Sequence, residues 1–171
     1  MTSVLKELFI AFGIVGICLI IHATGMILLA DWVVRHRVKL SQQLGLPTYS
    51  FLLMTIFVVI ILLHLSHAFI WGAFYSWRGL FPDYETSLYF SLTSYATIGY
   101  GDVVLPRSWR LLGTIEGVSG VLLCGLSTAF LFAIVNAFLR QRINEQAKKS
   151  QNGFPLPTTV VNKHEKHLVQ P

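Results

Sequence analysis

Charge is scarce in this chain: only 12% of its 171 residues are Asp, Glu, Lys or Arg, while 54% are apolar, and the mean hydropathy is +0.62. A soluble domain carries roughly twice that charged fraction, so the composition argues against one and points to a small helical bundle in a lipid bilayer. Cysteine is nearly absent as well. Cys18 and Cys124 both lie inside apolar runs, which leaves no outer pair to close a disulfide and makes packing their expected role. No apolar run carries arginine at every third position, which excludes a voltage-sensing helix of the usual kind. The charge that is present leans basic, with 13 Lys and Arg against 8 Asp and Glu and a pI near 9.4. Anionic lipid at the inner leaflet explains the basic tail more simply than nucleic acid does, and no nucleic-acid partner is expected.

Three apolar runs stand out, Leu8 to Ala30, Phe51 to Gly72 and Leu111 to Phe138. Each is long enough, at about 20 residues or more, to cross a hydrocarbon layer about 30 Å thick as a helix. The first exceeds the roughly 7–15 apolar residues of a secretory leader and no convincing small-residue cleavage site follows it, so it is expected to be retained. Lys and Arg favour cytoplasmic loops. Arg35, Arg37 and Lys39 follow the first run, and Arg140, Arg142, Lys148 and Lys149 follow the third. That placement predicts a multi-pass protein of the cell (inner) membrane with its N-terminus outside and its C-terminus cytoplasmic. Trp32, Trp71, Trp77 and Trp109 fall at the predicted span ends and read as interfacial anchors.

Between the second and third runs the pattern changes. Pro82 and Asp83 make a helix start, with Asp83 as N-cap and Glu85 in the first turn, where its charge suits the positive end of the helix dipole. A short helix is therefore predicted over Asp83 to Ala96, entering the membrane and stopping. Thr97-Ile98-Gly99-Tyr100-Gly101-Asp102 follows it. Glycine adopts positive φ without a Cβ penalty, so Gly99 and Gly101 let the backbone alternate in hand and turn successive carbonyls to one side. In the selectivity filter of potassium channels, which this run resembles, carbonyl oxygens so arranged replace the hydration shell of a cation. A helix that ends just before Thr97 aims its partial negative charge at the same place.

The run from Thr97 to Asp102 resembles the selectivity filter of potassium channels. Ser87-Leu88-Tyr89-Phe90-Ser91-Leu92 is similar to the pore-helix pattern of bacterial two-span potassium channels of the ion channel family. Trp109 stands seven residues past Asp102 as it does there, and Gly120 through Leu131 resembles their inner helix. The first apolar run has no counterpart in the simplest of them. The resemblance implies an all-α membrane protein with three transmembrane helices and a re-entrant pore helix and filter loop between the second and third. It divides the chain into an N-terminal transmembrane helix (1–30), a cytoplasmic linker (31–50), a potassium channel pore domain (51–138) and a partly disordered tail (139–171), helical to about Lys149. One filter loop per chain cannot enclose a pore, so a homotetramer in the lipid bilayer is implied. Thr97, Ile98, Gly99, Tyr100 and Gly101 would coordinate permeating K+; no enzyme activity, cofactor or other metal is expected.

By the same resemblance Gly120 is a bending glycine and Thr128 faces the cavity below the filter. The family often has a pair of tryptophans where this chain has Tyr89 and Phe90, and a glutamate bracing the filter aspartate where this chain has Thr93. Tyr89 can still donate its hydroxyl to Asp102, whereas Thr93 is too short to copy a carboxyl–carboxylate pair. A non-selective cation channel, a non-conducting scaffold or regulatory subunit that keeps the fold, and a metal or redox enzyme built on membrane histidines are the alternative readings.

Glu116 is the oddest residue, since a carboxylate in a membrane helix costs about 2.5–3.5 kcal/mol on insertion scales unless it finds a partner or a watery cavity. His67 lies at a similar depth in the second run and His64 a turn deeper. Glu116 is thus expected to brace the filter from behind, paired with a histidine or hydrogen-bonded to Ser91, Thr93 or Ser94. His64 and His67 share a helix face, and with His22 they form a weak metal-ligand pattern.

Overall fold

The computed structural model describes residues 2–40 and 46–152, and among them every regular element is helical. Helix α1 spans Thr2–Leu40, α2 Leu46–Trp77, α3 Tyr84–Tyr95 and α4 Arg110–Asn152, with a single 3-10 turn at Arg107–Trp109 just before α4. Among the described residues three stretches are long and apolar enough to cross a membrane: Val4–Arg35, Tyr49–Trp77 and Arg107–Lys148. All three expected spans are thus present, and the chain is a multi-pass membrane protein. Two compact units divide it at Leu131, and the residues that form the site lie in the first, Met1–Leu131. Of the second, the described part is the end of α4.

The boundaries differ from the expected ones. Helix α1 continues past Ala30 to Leu40 and α2 begins at Leu46 rather than Phe51, so most of the segment expected as a linker is helical, and residues 41–45 lie outside the described part. Loss of hydropathy ends a membrane-spanning run without ending a helix. Asp31 and Arg35, one turn apart, pair across the exposed face of α1 and keep its ladder going. Helix α4 likewise runs to Asn152, close to the predicted Lys149, and the disorder expected further on falls outside the described residues.

Helix α2 stops because Gly79 takes φ +63°. The Leu80 amide then reaches back to the carbonyl of Tyr75 at 3.1 Å and the Gly79 amide to that of Ser76 at 2.9 Å, the paired bonds of a Schellman cap. The chain reverses into α3, whose start is as predicted. Asp83 is extended, its Oδ1 accepts from the Thr86 amide at 2.7 Å, and its carbonyl accepts from the Ser87 hydroxyl at 2.9 Å. The Thr86 N–H holds the Asp83 carboxyl below the usual carboxylate range. Because the folded value is the lower one, this contribution to stability is full above the ordinary carboxylate range and is lost as pH falls through the folded value. Asp83→Ala should lower the thermal midpoint in detergent by about 2–4 °C, and a midpoint unchanged at neutral pH would rule out the cap as a stabilising element.

Helices α1, α2 and α3 pack as one group, α2 touching both of the others, while α1 also contacts the 3-10 turn after the loop. The core joins Ala11, Ile14 and Cys18 of α1 to Trp71 and Tyr75 of α2, Phe90 of α3 and Leu112 of α4. Phe90 meets Tyr75 edge-on at 5.4 Å and Phe81 at 5.1 Å, spacings favoured by aromatic quadrupoles. Trp71 departs from its expected interfacial place. It is fully buried against Tyr75, 5.9 Å between ring centroids, because it shares a face of α2 with His67, Ala68 and Tyr75 that α1 and α3 cover. Trp77 is exposed as an anchor should be, and Trp109 carries the Arg78 guanidinium 4.9 Å from its ring centre.

Candidate functional site

The loop that leaves α3 is built from the last turn of that helix. The Thr97 amide bonds to the carbonyl of Ser94 at 3.0 Å, and the amides of Ile98 and Gly99 both bond to the carbonyl of Thr93, at 2.8 and 3.2 Å. A planar trans peptide points its carbonyl opposite to its N–H. With three successive N–H groups turned toward α3, the carbonyls of Ala96, Thr97 and Ile98 face away from it on a common side. The dihedrals that permit this alternate in hand: φ is +58° at Thr97, +56° at Gly99 and +80° at Gly101.

Two of these three positions were legible as glycines, but Thr97 was not. A β-branched residue at positive φ is a genuine outlier, carrying a strain of about 1–3 kcal/mol that persists only where the surroundings impose it. Here three hydrogen bonds to the end of α3 impose it.

At the far end of the loop, Tyr89 donates its hydroxyl to Asp102 at 2.8 Å, joining α3 to the residue that closes the run. Thr93 plays no part in holding Asp102 through its side chain; its hydroxyl bonds to the carbonyl of Phe90, at 3.0 Å, while its backbone carbonyl supports the loop. Removing the Tyr89 hydroxyl alone, as Tyr89→Phe, is expected to leave the helices intact by circular dichroism and to reduce ion flux through the protein about fivefold. Equal flux in the two proteins would show that this bond does not matter to the loop.

Behind α3, Glu116 of α4 is fully buried. Tyr75 of α2 donates to its Oε2 at 2.7 Å, and Ser91 of α3 donates to its Oε1 at 2.5 Å. The carboxyl therefore clasps three helices together one turn behind the loop. Of the partners expected from sequence, Ser91 is present. The histidine pairing is not: His64 and His67 turn their Nδ1 atoms to the hydroxyl of Tyr95, at 2.8 and 3.2 Å. Tyr75 was missed, although the i, i+4, i+7, i+11 series of His64, Ala68, Trp71 and Tyr75 would have placed it on the same face of α2.

Helix α4 approaches α3 across glycine. A Cβ on Gly120 would overlap the carbonyl oxygen of Tyr95, and one on Gly113 would stand 2.9 Å from Phe90. Small residues let helix backbones come this close in a membrane. Gly120 lies within an unbroken α4, and close packing accounts for it here. Thr128, whose hydroxyl bonds to the carbonyl of Cys124 at 2.9 Å, lines a largely apolar cavity of about 680 Å³ together with Thr97, Tyr95 and His64. A second, more open apolar recess of about 760 Å³ lies beside the loop, between Phe90, Thr97, Gly99 and the Gly117 to Leu122 face of α4. Ile98, Tyr100, Val118 and Leu122 are all more than half exposed in the single chain.

Residues 56–137 match the family model described as an ion channel. The matched stretch takes in most of α2, all of α3, the loop with its left-handed residues, and the first part of α4. No curated protein and no solved structure matches the chain. The match supports ion-channel function, and with it ion permeation in a lipid bilayer in place of an enzymatic role.

Proposed function

We propose that the protein is a potassium-selective channel whose filter is formed by Thr97, Ile98, Gly99, Tyr100 and Gly101. The observation that carries this reading is the alternation of left-handed residues at 97, 99 and 101, following amides that are all turned back to α3. Such a backbone presents a row of carbonyl oxygens to one axis, as cation coordination requires. Helix α3 ends at Tyr95, so its negative dipole end lies at the entry to the row.

One loop offers oxygens from one side only. The exposed Ile98 and Tyr100, and the apolar recess beside them, belong on an interface between subunits, since a patch of that kind is rarely left uncovered. The reading therefore includes a homotetramer around a central axis, with α3 as a re-entrant pore helix and Thr128 in the cavity below the filter. The positions of Arg35, Arg140 and Arg142 support a cytoplasmic C-terminus. The packing of Ala11, Ile14 and Cys18 in one cluster with Leu105, just after the filter, supports a filter-side position for the N-terminal part of α1 and so an outer N-terminus.

The test is ion flux from purified protein in liposomes. Potassium flux that greatly exceeds sodium flux is expected. Equal flux of both ions would replace the selective channel by a non-selective one, and no flux from protein shown to be inserted and tetrameric would replace both by a non-conducting scaffold.

A further inference from the structure

We propose that His22, His64 and His67 form a binding site for a divalent first-row transition-metal ion of the zinc type. The proposal is independent of which ion the channel conducts.

The three imidazoles converge from two helices. His64 and His67 stand three residues apart on one face of α2, and His22 reaches them from α1, a part of the chain outside the family match. Ring centroids are 5.2, 5.3 and 6.2 Å apart, and one nitrogen from each ring lies within 4.8 Å of the others. Tetrahedral ligands at Zn–N distances of 2.0–2.1 Å stand about 3.3 Å from one another, so the widest pair has to close by about 1.5 Å, a matter of side-chain rotation.

The hydrogen bonding around His22 and His67 is that of metal ligands, while His64 has both nitrogens engaged and releases one hydroxyl to bind an ion. An imidazole bound to a metal has its second nitrogen held by an oxygen that fixes ring orientation. Ser127 is 3.0 Å from His22 Nε2 and 3.1 Å from His64 Nε2, and Tyr95 holds Nδ1 of both His64 and His67. Two hydroxyls thus serve all three rings. What they leave is informative. His22 Nδ1 and His67 Nε2 are fully buried and have no hydrogen-bond partner among the described residues, with the Cys18 backbone the nearest candidate for His67. A buried nitrogen left unpaired costs about 1–3 kcal/mol, a cost that ligation of an ion would remove. Three neutral nitrogen ligands suit zinc, copper or nickel and not magnesium or calcium, which take oxygen. Tyr95 Oη, bonded to Nδ1 of two of the rings, holds their orientation, and a water would complete a four-coordinate site. Because Tyr95 is the last residue of α3, an ion here would fasten α1 and α2 to the helix end from which the filter springs.

Full-length protein in detergent, stripped by chelator, can be titrated with Co2+, whose visible absorption is intense when four-coordinate and faint when six-coordinate. The reference protein carries His36→Gln, His164→Gln and His167→Gln, which removes the remaining histidines as adventitious ligands. It is expected to bind about one Co2+ per chain with the intense spectrum, and Zn2+ should displace it stoichiometrically. Adding His22→Gln or His67→Gln should weaken binding at least 10- to 100-fold. Tyr95→Phe, which keeps all three ligands, should weaken it about tenfold. The proposal is overturned if the reference protein binds no ion, if its spectrum stays faint, or if folded His22→Gln protein binds as tightly as the reference. Should the histidine variants fail to fold, the stoichiometry and spectrum of the reference protein still decide the matter.

Discussion

Gly99→Ala and Gly101→Ala are each expected to abolish potassium selectivity or conduction while the protein still inserts and folds. No atom outside the loop's own neighbours lies within 4 Å of a Cβ built at either position in the single chain, so crowding within the chain is not the reason. The reason is the backbone. At φ of +56° and +80° an added Cβ meets its own carbonyl, at roughly 1–2 kcal/mol per residue, and the proposed tetramer would incur this at four symmetry-related positions around one axis. The cheapest relief is a peptide flip, which turns a carbonyl away from the ion path and an N–H toward it. Gly13→Ala serves as the contrast, because Gly13 is helical, has nothing within 4 Å of its added Cβ, and should be silent or slightly stabilising. Potassium and sodium flux into liposomes, measured alongside the contrast variant, is the readout. Unchanged preference for potassium in either loop variant would mean that these dihedrals do not set ion coordination.

Glu116→Leu is expected to show the second largest effect. It removes the acceptor of Tyr75 and one partner of Ser91, leaving a buried phenol unpaired at about 1–3 kcal/mol per chain. The thermal midpoint in detergent should fall and flux should drop. Glu116→Gln should stay near wild type, for a reason that can be counted in hydrogens. Ser91 has one hydrogen and two oxygens within reach, Glu116 Oε1 at 2.5 Å and the Ala68 carbonyl at 2.8 Å. If Ser91 gives its hydrogen to Ala68, it accepts one from an amide nitrogen at position 116, while the amide oxygen accepts from Tyr75. Among the described residues no histidine bonds to Glu116, so the Gln variant should also keep the pH dependence of flux. A double-mutant cycle checks the assignment: in a Tyr75→Phe background the cost of Glu116→Leu should shrink. Full additivity, or a Leu variant as stable and conductive as wild type, would remove Glu116 from the support of the loop.

How far the chain could be read depended on how local each cause is. The three spans, the cap at Asp83 and the end of α3 before Thr97 follow from hydropathy, N-cap chemistry and glycine placement, all of which act within a few residues. So does the likelihood of left-handed backbone at Gly99 and Gly101. Thr97 at φ +58° could not be read this way, since its own side chain disfavours that state; three amides bonded to the end of α3 decide it. The role of Glu116 was half legible. Depth in the membrane demanded a buried partner, but depth alone does not distinguish His67 from Tyr75, which sits on the same helix two turns away. The rotation of α2 against α4 made that choice.

The three histidines show the same division most clearly. Sequence placed His64 and His67 on one face of α2 because three residues make nearly one turn, and that much holds in any helix. Whether His22, more than 40 residues earlier, joins them depends on the packing of α1 on α2, where Gly25 leaves room for Leu63 to lie within 2.6 Å of where a Cβ would be. Periodicity fixes which residues share a face, since backbone geometry is the same everywhere along a helix. Which faces meet is set by side chains distant in the chain, and only the packed helices carry that information.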